Sequence, residues 1–302
     1  MLCCRSVLPI ASVLTAVSAQ LSLFSFGDSY TDTGFDINGV QPSPVNALGN
    51  PEYGTSIGPT SKGTFSGGPN YVDFLVANYN DTLVLSYNFA SGGATITDSI
   101  VRPIDPQINT LQEQVEQLFQ PRYLSQKNKP GGWTADSSIF SILIGINDIQ
   151  FSFEDADPAI RIPQLIDAYF RYVNEMYDDG ARRFLFMGVP PFDRSPPYIA
   201  KAPQDAQKCS DFINGYNLEL AKQANDWAGT HPDADTSIYD FHAWMTKILD
   251  APQQYGFQDA TCSGDGTSKC IWWEVSNVHT TSTFQDLLAK DMIPSLEKLG
   301  WP

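Results

Sequence analysis

The chain has 302 residues, 42% of them hydrophobic and 17% charged, with a formal net charge of −16 at pH 7. That is the composition of an ordered globular protein, long enough to bury a sizeable core within one α/β domain, and it argues against a disordered chain. A surface this acidic repels nucleic-acid phosphates and anionic lipid, so polyanionic partners are not expected, while neutral ones remain open.

Residues 1–19, MLCCRSVLPIASVLTAVSA, carry one base (Arg5), a short apolar stretch, and the small residues Val17, Ser18 and Ala19. This is the pattern of a cleaved secretory signal, too short to span a bilayer, and it predicts a mature, extracellular chain from Gln20 onward. No later segment approaches a membrane span, so no stable membrane insertion is expected. Of the five cysteines, Cys3 and Cys4 leave with the signal. Cys262 and Cys270 bracket the short loop TCSGDGTSKC, and an oxidising destination favours their bridging, which leaves Cys209 free. Asn80-Asp81-Thr82 is a glycosylation sequon and fits the same destination. With only three histidines in the chain a metal site has few ligands, and neither metal nor cofactor is expected.

Near-continuous apolar runs recur at 21–26, 83–90, 138–145, 183–189 and 237–241, separated by helical stretches at 105–119, 159–179, 210–228 and 281–297. Strands covered on both faces read this way, with the helices as crossovers, so a mostly parallel five-stranded sheet is predicted. Residues 35–70, rich in Gly, Pro, Asn and Ser, read as an extended loop whose Tyr53, Phe65 and Asn70 are candidates for one wall of a groove. No linker or repeat interrupts 20–302, which reads as one domain, expected to be monomeric.

In an open parallel sheet, ligands bind beyond the carboxyl ends of the strands. Three short motifs fall there: Phe26-Gly27-Asp28-Ser29 after the first run, Asn88-Phe89-Ala90-Ser91-Gly92-Gly93-Ala94 after the second, and Gly145-Ile146-Asn147-Asp148 after the third. His279 stands just before the last helix. Ser29 at a strand-to-helix turn is either a helix cap or a nucleophile. A nucleophile needs a general base, and His231 in a polar loop and His242 in DFHAW suit the task less well than His279. Charge developing on an attacked carbonyl oxygen must meet donors already in place. The backbone amides of Ser29 and Gly93 and the side chain of Asn147 can provide them, with Gly92 the competing glycine and helix capping the competing role for Asn147. Asp148 reads as structural, bonded to a neighbouring loop.

These blocks resemble the GDSL or SGNH serine hydrolase family across residues 24 to about 284. FGDSYTDTG is similar to the first block, with Tyr30 in place of the usual leucine; NFASGGA is similar to the second, IGINDI to the third, and His279 to the fifth. The resemblance implies a three-layer αβα sandwich of flavodoxin-like type with Ser29 as nucleophile and His279 as base. It also implies an esterase working through an acyl-enzyme. The acidic, secreted character and the WW-rich terminal block are similar to fungal members, including those grouped with carbohydrate acetyl esterases. By that analogy the substrate is a small ester, above all an acetylated plant cell-wall saccharide. A lipase or phospholipase of the same family and a non-catalytic carbohydrate-binding relative are the alternatives. The chain departs from the family in one place: Ser276 stands three residues before His279 where many relatives carry aspartate. Glu274, directly after Trp273, is the candidate acid; a dyad supported by a backbone carbonyl or by Asn277 is the other reading.

Overall fold

The computed structural model describes residues 20–56, 63–129, 132–273 and 278–302. Strand β1 (Leu21–Gly27) lies at the heart of a parallel sheet, buried along its whole length. In chain order there follow α1 (Tyr71–Asn78), β2 (Val84–Asn88), and α2 (Leu111–Glu113), which runs through a π-helical segment (Gln114–Phe119) into α3 (Gln120–Tyr123). Next come β3 (Ser138–Leu143), α4 (Ile146–Gln150), α5 (Pro158–Asp178), β4 (Arg183–Met187), α6 (Pro196–Ile199) and α7 (Pro203–Thr230). The chain closes with β5 (Asp235–Tyr239), α8 (Phe241–Asp250), the two-residue strands β6 (Ser263–Gly264) and β7 (Trp272–Trp273), and α9 (Ser282–Glu297).

The five long strands pair in the order β2-β1-β3-β4-β5, all parallel. Helices flank this sheet, α1 packing on α9 and α5 on α7, so the fold is the expected three-layer αβα sandwich with flavodoxin-like strand order. Its centre is aromatic. The Phe24 ring stacks on Tyr87 of β2 and Phe140 of β3, and meets Phe119 and Trp133 edge-on. Such pairs add to plain area burial and fix the register of the three strands, Phe24 standing opposite both Tyr87 and Phe140.

Order reverses between β1 and its two neighbours, β2 and β3, so the crevice above their carboxyl ends is the topological switch point. Gly27 ends β1 there. A Cβ on it would lie 2.2 Å from the Leu143 carbonyl oxygen of β3, so the backbone approach that launches the Asp28-Ser29 turn is closed to any other residue. The Gln114 side chain fastens the same point, donating to Gly27 O at 2.8 Å and accepting from Gly27 N at 2.9 Å.

Cys262 and Cys270 are disulfide-bonded, with Cα atoms 4.9 Å apart, and Cys209 is a buried free thiol. Asn80 donates its side-chain amide to Leu75 O and Val76 O, both at 2.8 Å, closing the end of α1, so a glycan on that nitrogen would displace one of these bonds. The expected signal, residues 1–19, lies outside the described residues.

Candidate active site

Ser29 does not stand before a helix, contrary to the strand-to-helix turn read from sequence. The turn closes on itself, Thr31 N and Asp32 N both donating to Asp28 O at 3.0 and 2.9 Å, and among the described residues no helix follows before α1. Gly-Asp-Ser is as good a turn sequence as a helix start, and no apolar periodicity follows to choose between them. The outcome matters, because a capping serine would bond its hydroxyl to helix amides. The Ser29 hydroxyl instead meets His279 Nε2 at 2.6 Å.

His279 is delivered by the segment between β7 and α9, held where Trp273 N donates to His279 O at 2.8 Å. A second tie comes from the serine turn itself: the Tyr30 hydroxyl donates to Val278 O at 2.5 Å. Tyr30, which replaces the family's usual leucine, thus links the serine turn to the residue preceding the histidine. Burial pushes the imidazole down to about 4 from its ordinary 6.5, which keeps the ring neutral and able to accept a proton at neutral pH. Glu274, Ser276 and Asn277, on which the question of the acid turns, lie outside the described residues.

The groups expected to meet an oxyanion converge on the same pocket, of about 280 Å³, whose lining includes Ser29, Gly93, Asn147, Ile146, Phe65 and His279. Neither the Ser29 nor the Gly93 backbone N–H meets an acceptor among the described residues. Gly92 does: its N–H donates to the Asp32 carboxylate at 2.8 Å, while the other Asp32 oxygen accepts from Gly34 N at 2.6 Å. Asp32 therefore occupies the competing glycine and leaves Gly93, at φ +83°, a conformation costly for residues with a side chain, as the one with an amide to offer. Asn147 is not a cap; Gly145 precedes α4, and Asn147 sits in its first turn. One N–H of its side chain donates to Ala94 O at 2.9 Å, which orients the amide and leaves its second N–H for the pocket. Of the loop residues named from sequence, Phe65 lines the pocket, its ring centroid 5.1 Å from that of His279. Tyr53 faces Asn78 instead, and Asn70 caps α1 while donating to Thr31 O and Asp32 O.

Asp148 accepts Ile96 N on both oxygens, the loop bond expected of it. With Asp28 it makes a buried acidic floor: burial, and behind it the neighbouring acids, push Asp28 up to about 8, and burial pushes Asp148 up to about 7. The folded state then holds protons that the unfolded chain has released, so this contribution is complete below the unfolded value of 3.8 and is lost as pH rises through about 8. The thermal midpoint is expected to fall between about pH 5 and about pH 8.5, and the isosteric Asp28→Asn should flatten that fall. Equal slopes in the two proteins would mean that Asp28 is ionised in the fold.

A serine hydroxyl on a neutral imidazole, beside unspent amide donors at the switch point of a parallel α/β sheet, is the arrangement that acyl transfer through a serine would need. Residues 23–292 match the family described as GDSL-like lipase/acylhydrolase, and the chain belongs to that family of carboxylic ester hydrolases. It is 35% identical over 252 residues to an acetylesterase of Thermothelomyces thermophilus, covering 83% of this chain and 80% of that one. It is 26% identical over 278 residues to a GDSL esterase/lipase of Arabidopsis thaliana, covering 80% and 74%. Among solved structures, an acetyl xylan esterase from Geobacillus stearothermophilus shares the fold at a TM-score of 0.50 and 15% identity, covering 93% of this chain and 95% of that one.

Proposed function

We propose that the protein is a secreted acetylesterase that removes acetyl groups from saccharides through a Ser29 acyl-enzyme. The observation that carries the mechanism is the 2.6 Å contact between Ser29 Oγ and His279 Nε2 in a pocket that also presents Gly93 and Asn147. Ser29 Oγ attacks the ester carbonyl carbon and its proton passes to His279 Nε2. The oxyanion is met by Ser29 N–H, Gly93 N–H and the second Asn147 N–H. Collapse expels the sugar alkoxide, which takes the proton from the imidazolium; water, deprotonated by the same imidazole, then releases acetate and restores Ser29. Glu274 as the acid that orients His279 belongs to this proposal.

Acetate is favoured by the similarity to the Thermothelomyces acetylesterase. Secretion is supported by the signal pattern of residues 1–19 and by the Cys262–Cys270 bond. A lipase needs a broad apolar approach. At this mouth the large exposed apolar residues among those described are Ile104 and Phe151. Hydrolysis of p-nitrophenyl esters of increasing acyl length is the test: rates should be highest for acetate and fall steeply beyond butyrate. A maximum at long chains would favour the lipase, and no turnover at all by folded protein would favour a binding relative.

The donors can be tested separately. Asn147→Ala should lower kcat by about 10²- to 10³-fold with little change in KM, since the bond it offers is made in the transition state. A raised KM with kcat intact would make Asn147 a substrate contact instead.

A further inference from the structure

The pocket at Ser29 does not end at its own rim. Phe151, in the turn between α4 and α5, lines it and also lines a second cleft, of about 360 Å³. The walls of that cleft include Ile100 and Arg102 from the segment after β2, Ser152 and Asp155 from the α4–α5 turn, and Arg161 from the start of α5. Phe151 remains 37% exposed at the junction, so its ring forms part of the surface a ligand would cross from one space to the other.

The chemistry of the second cleft is mixed in a particular way. Among the described residues no ion pair engages Arg102, Arg161 or Asp155, although the cleft's lining holds both signs of charge. Arg161 gives one N–H to Ile100 O, which fixes its guanidinium, and retains further donors. An anion would meet Asp155 as well as the arginines, and a lipid chain would strip water from three charged groups without replacing their bonds. A neutral polyol suits all of them: its hydroxyls accept from guanidinium N–H and donate to a carboxylate, while the C–H face of a pyranose rests on Phe151.

We infer that the cleft of Phe151, Arg102, Asp155 and Arg161 is a second sugar subsite, which binds the saccharide unit next to the one whose ester lies at Ser29. This rests on the saccharide-esterase reading above and adds to it a preference for oligosaccharides over single sugars. The ring at the junction crosses Phe151, and the neighbouring unit places its hydroxyls against Arg102 and Asp155.

Rates on p-nitrophenyl acetate, acetylated xylose and acetylated xylotriose test the inference. The wild type should show kcat/KM about tenfold or more higher on the xylotriose ester than on the xylose ester. Arg102→Ala and Asp155→Ala, both changes in the outer cleft, should remove most of that gain through KM, leaving kcat and the rate on p-nitrophenyl acetate within about twofold. Equal rates on the two sugars, a gain that survives both substitutions, or a parallel loss on p-nitrophenyl acetate would each overturn the subsite. The two readings fail differently. Turnover of p-nitrophenyl acetate with none of either sugar ester would remove the saccharide reading and the subsite together, whereas turnover of both sugars without a length effect removes the subsite alone.

Discussion

Ser29→Ala is expected to abolish ester hydrolysis while the protein stays folded. The hydroxyl of Ser29 bonds to His279, and the turn that carries it is held by backbone bonds to Asp28 O and by Asn70 and Asn88, which donate to Thr31 O. No helix depends on the side chain, so no cap is lost and the forfeited bond to His279 costs about 1 kcal/mol. The chemistry loses its nucleophile altogether. Turnover on p-nitrophenyl acetate should fall by about 10⁴-fold or more, with circular dichroism unchanged and the thermal midpoint shifted by a few degrees at most. Retained turnover by a folded variant would remove Ser29 from the mechanism.

The second large effect belongs to His279. Without it the Ser29 proton has no acceptor and the departing alkoxide has no donor, so His279→Ala should also cost about 10⁴-fold or more in kcat. The wild-type pH profile carries a finer signature. Only the neutral imidazole serves as base, so kcat/KM is lost as pH falls through the value of the free enzyme, which burial pulls down to about 4 and an orienting carboxylate raises again. With Glu274 as that carboxylate, the acid limb of the wild type should lie well above 4 and move down toward it in Glu274→Gln. A wild-type limb already near 4 and unmoved by Glu274→Gln would mean a dyad without Glu274.

The strands were legible because a parallel sheet covered on both faces leaves long apolar runs, and β1 to β5 fall within a few residues of the expected segments. Helix α1 was not legible: eight residues of nearly uniform hydrophobicity offer no periodicity, and Asn70 resembles a groove residue until it is seen capping Val72 and Asp73. Helix α8 is hidden likewise behind the end of β5, where Asp240 is its cap. Within the site, Ser29 and His279 could be singled out from sequence because their chemistry restricts the choice to few residues. Gly93 was preferred to Gly92 without sight of the contact that separates them, the bond from Gly92 N to Asp32, sixty positions away. Where the family's usual leucine is replaced, Tyr30 carries a hydroxyl that ties the serine turn to the histidine segment through Val278. Such pairings arise from the meeting of distant loops at the switch point, and no local pattern records them.

The account rests on Ser29 as the atom that takes the acyl group. Treatment with diethyl p-nitrophenyl phosphate tests this directly, because the activated hydroxyl displaces p-nitrophenolate and keeps the diethylphosphoryl group. Peptide mass spectrometry should find one such group per chain, on Ser29, with activity lost in proportion, and none on protein carrying His279→Ala over the same period. Inactivation with the label on any other residue, or full labelling of Ser29 with activity intact, would contradict it.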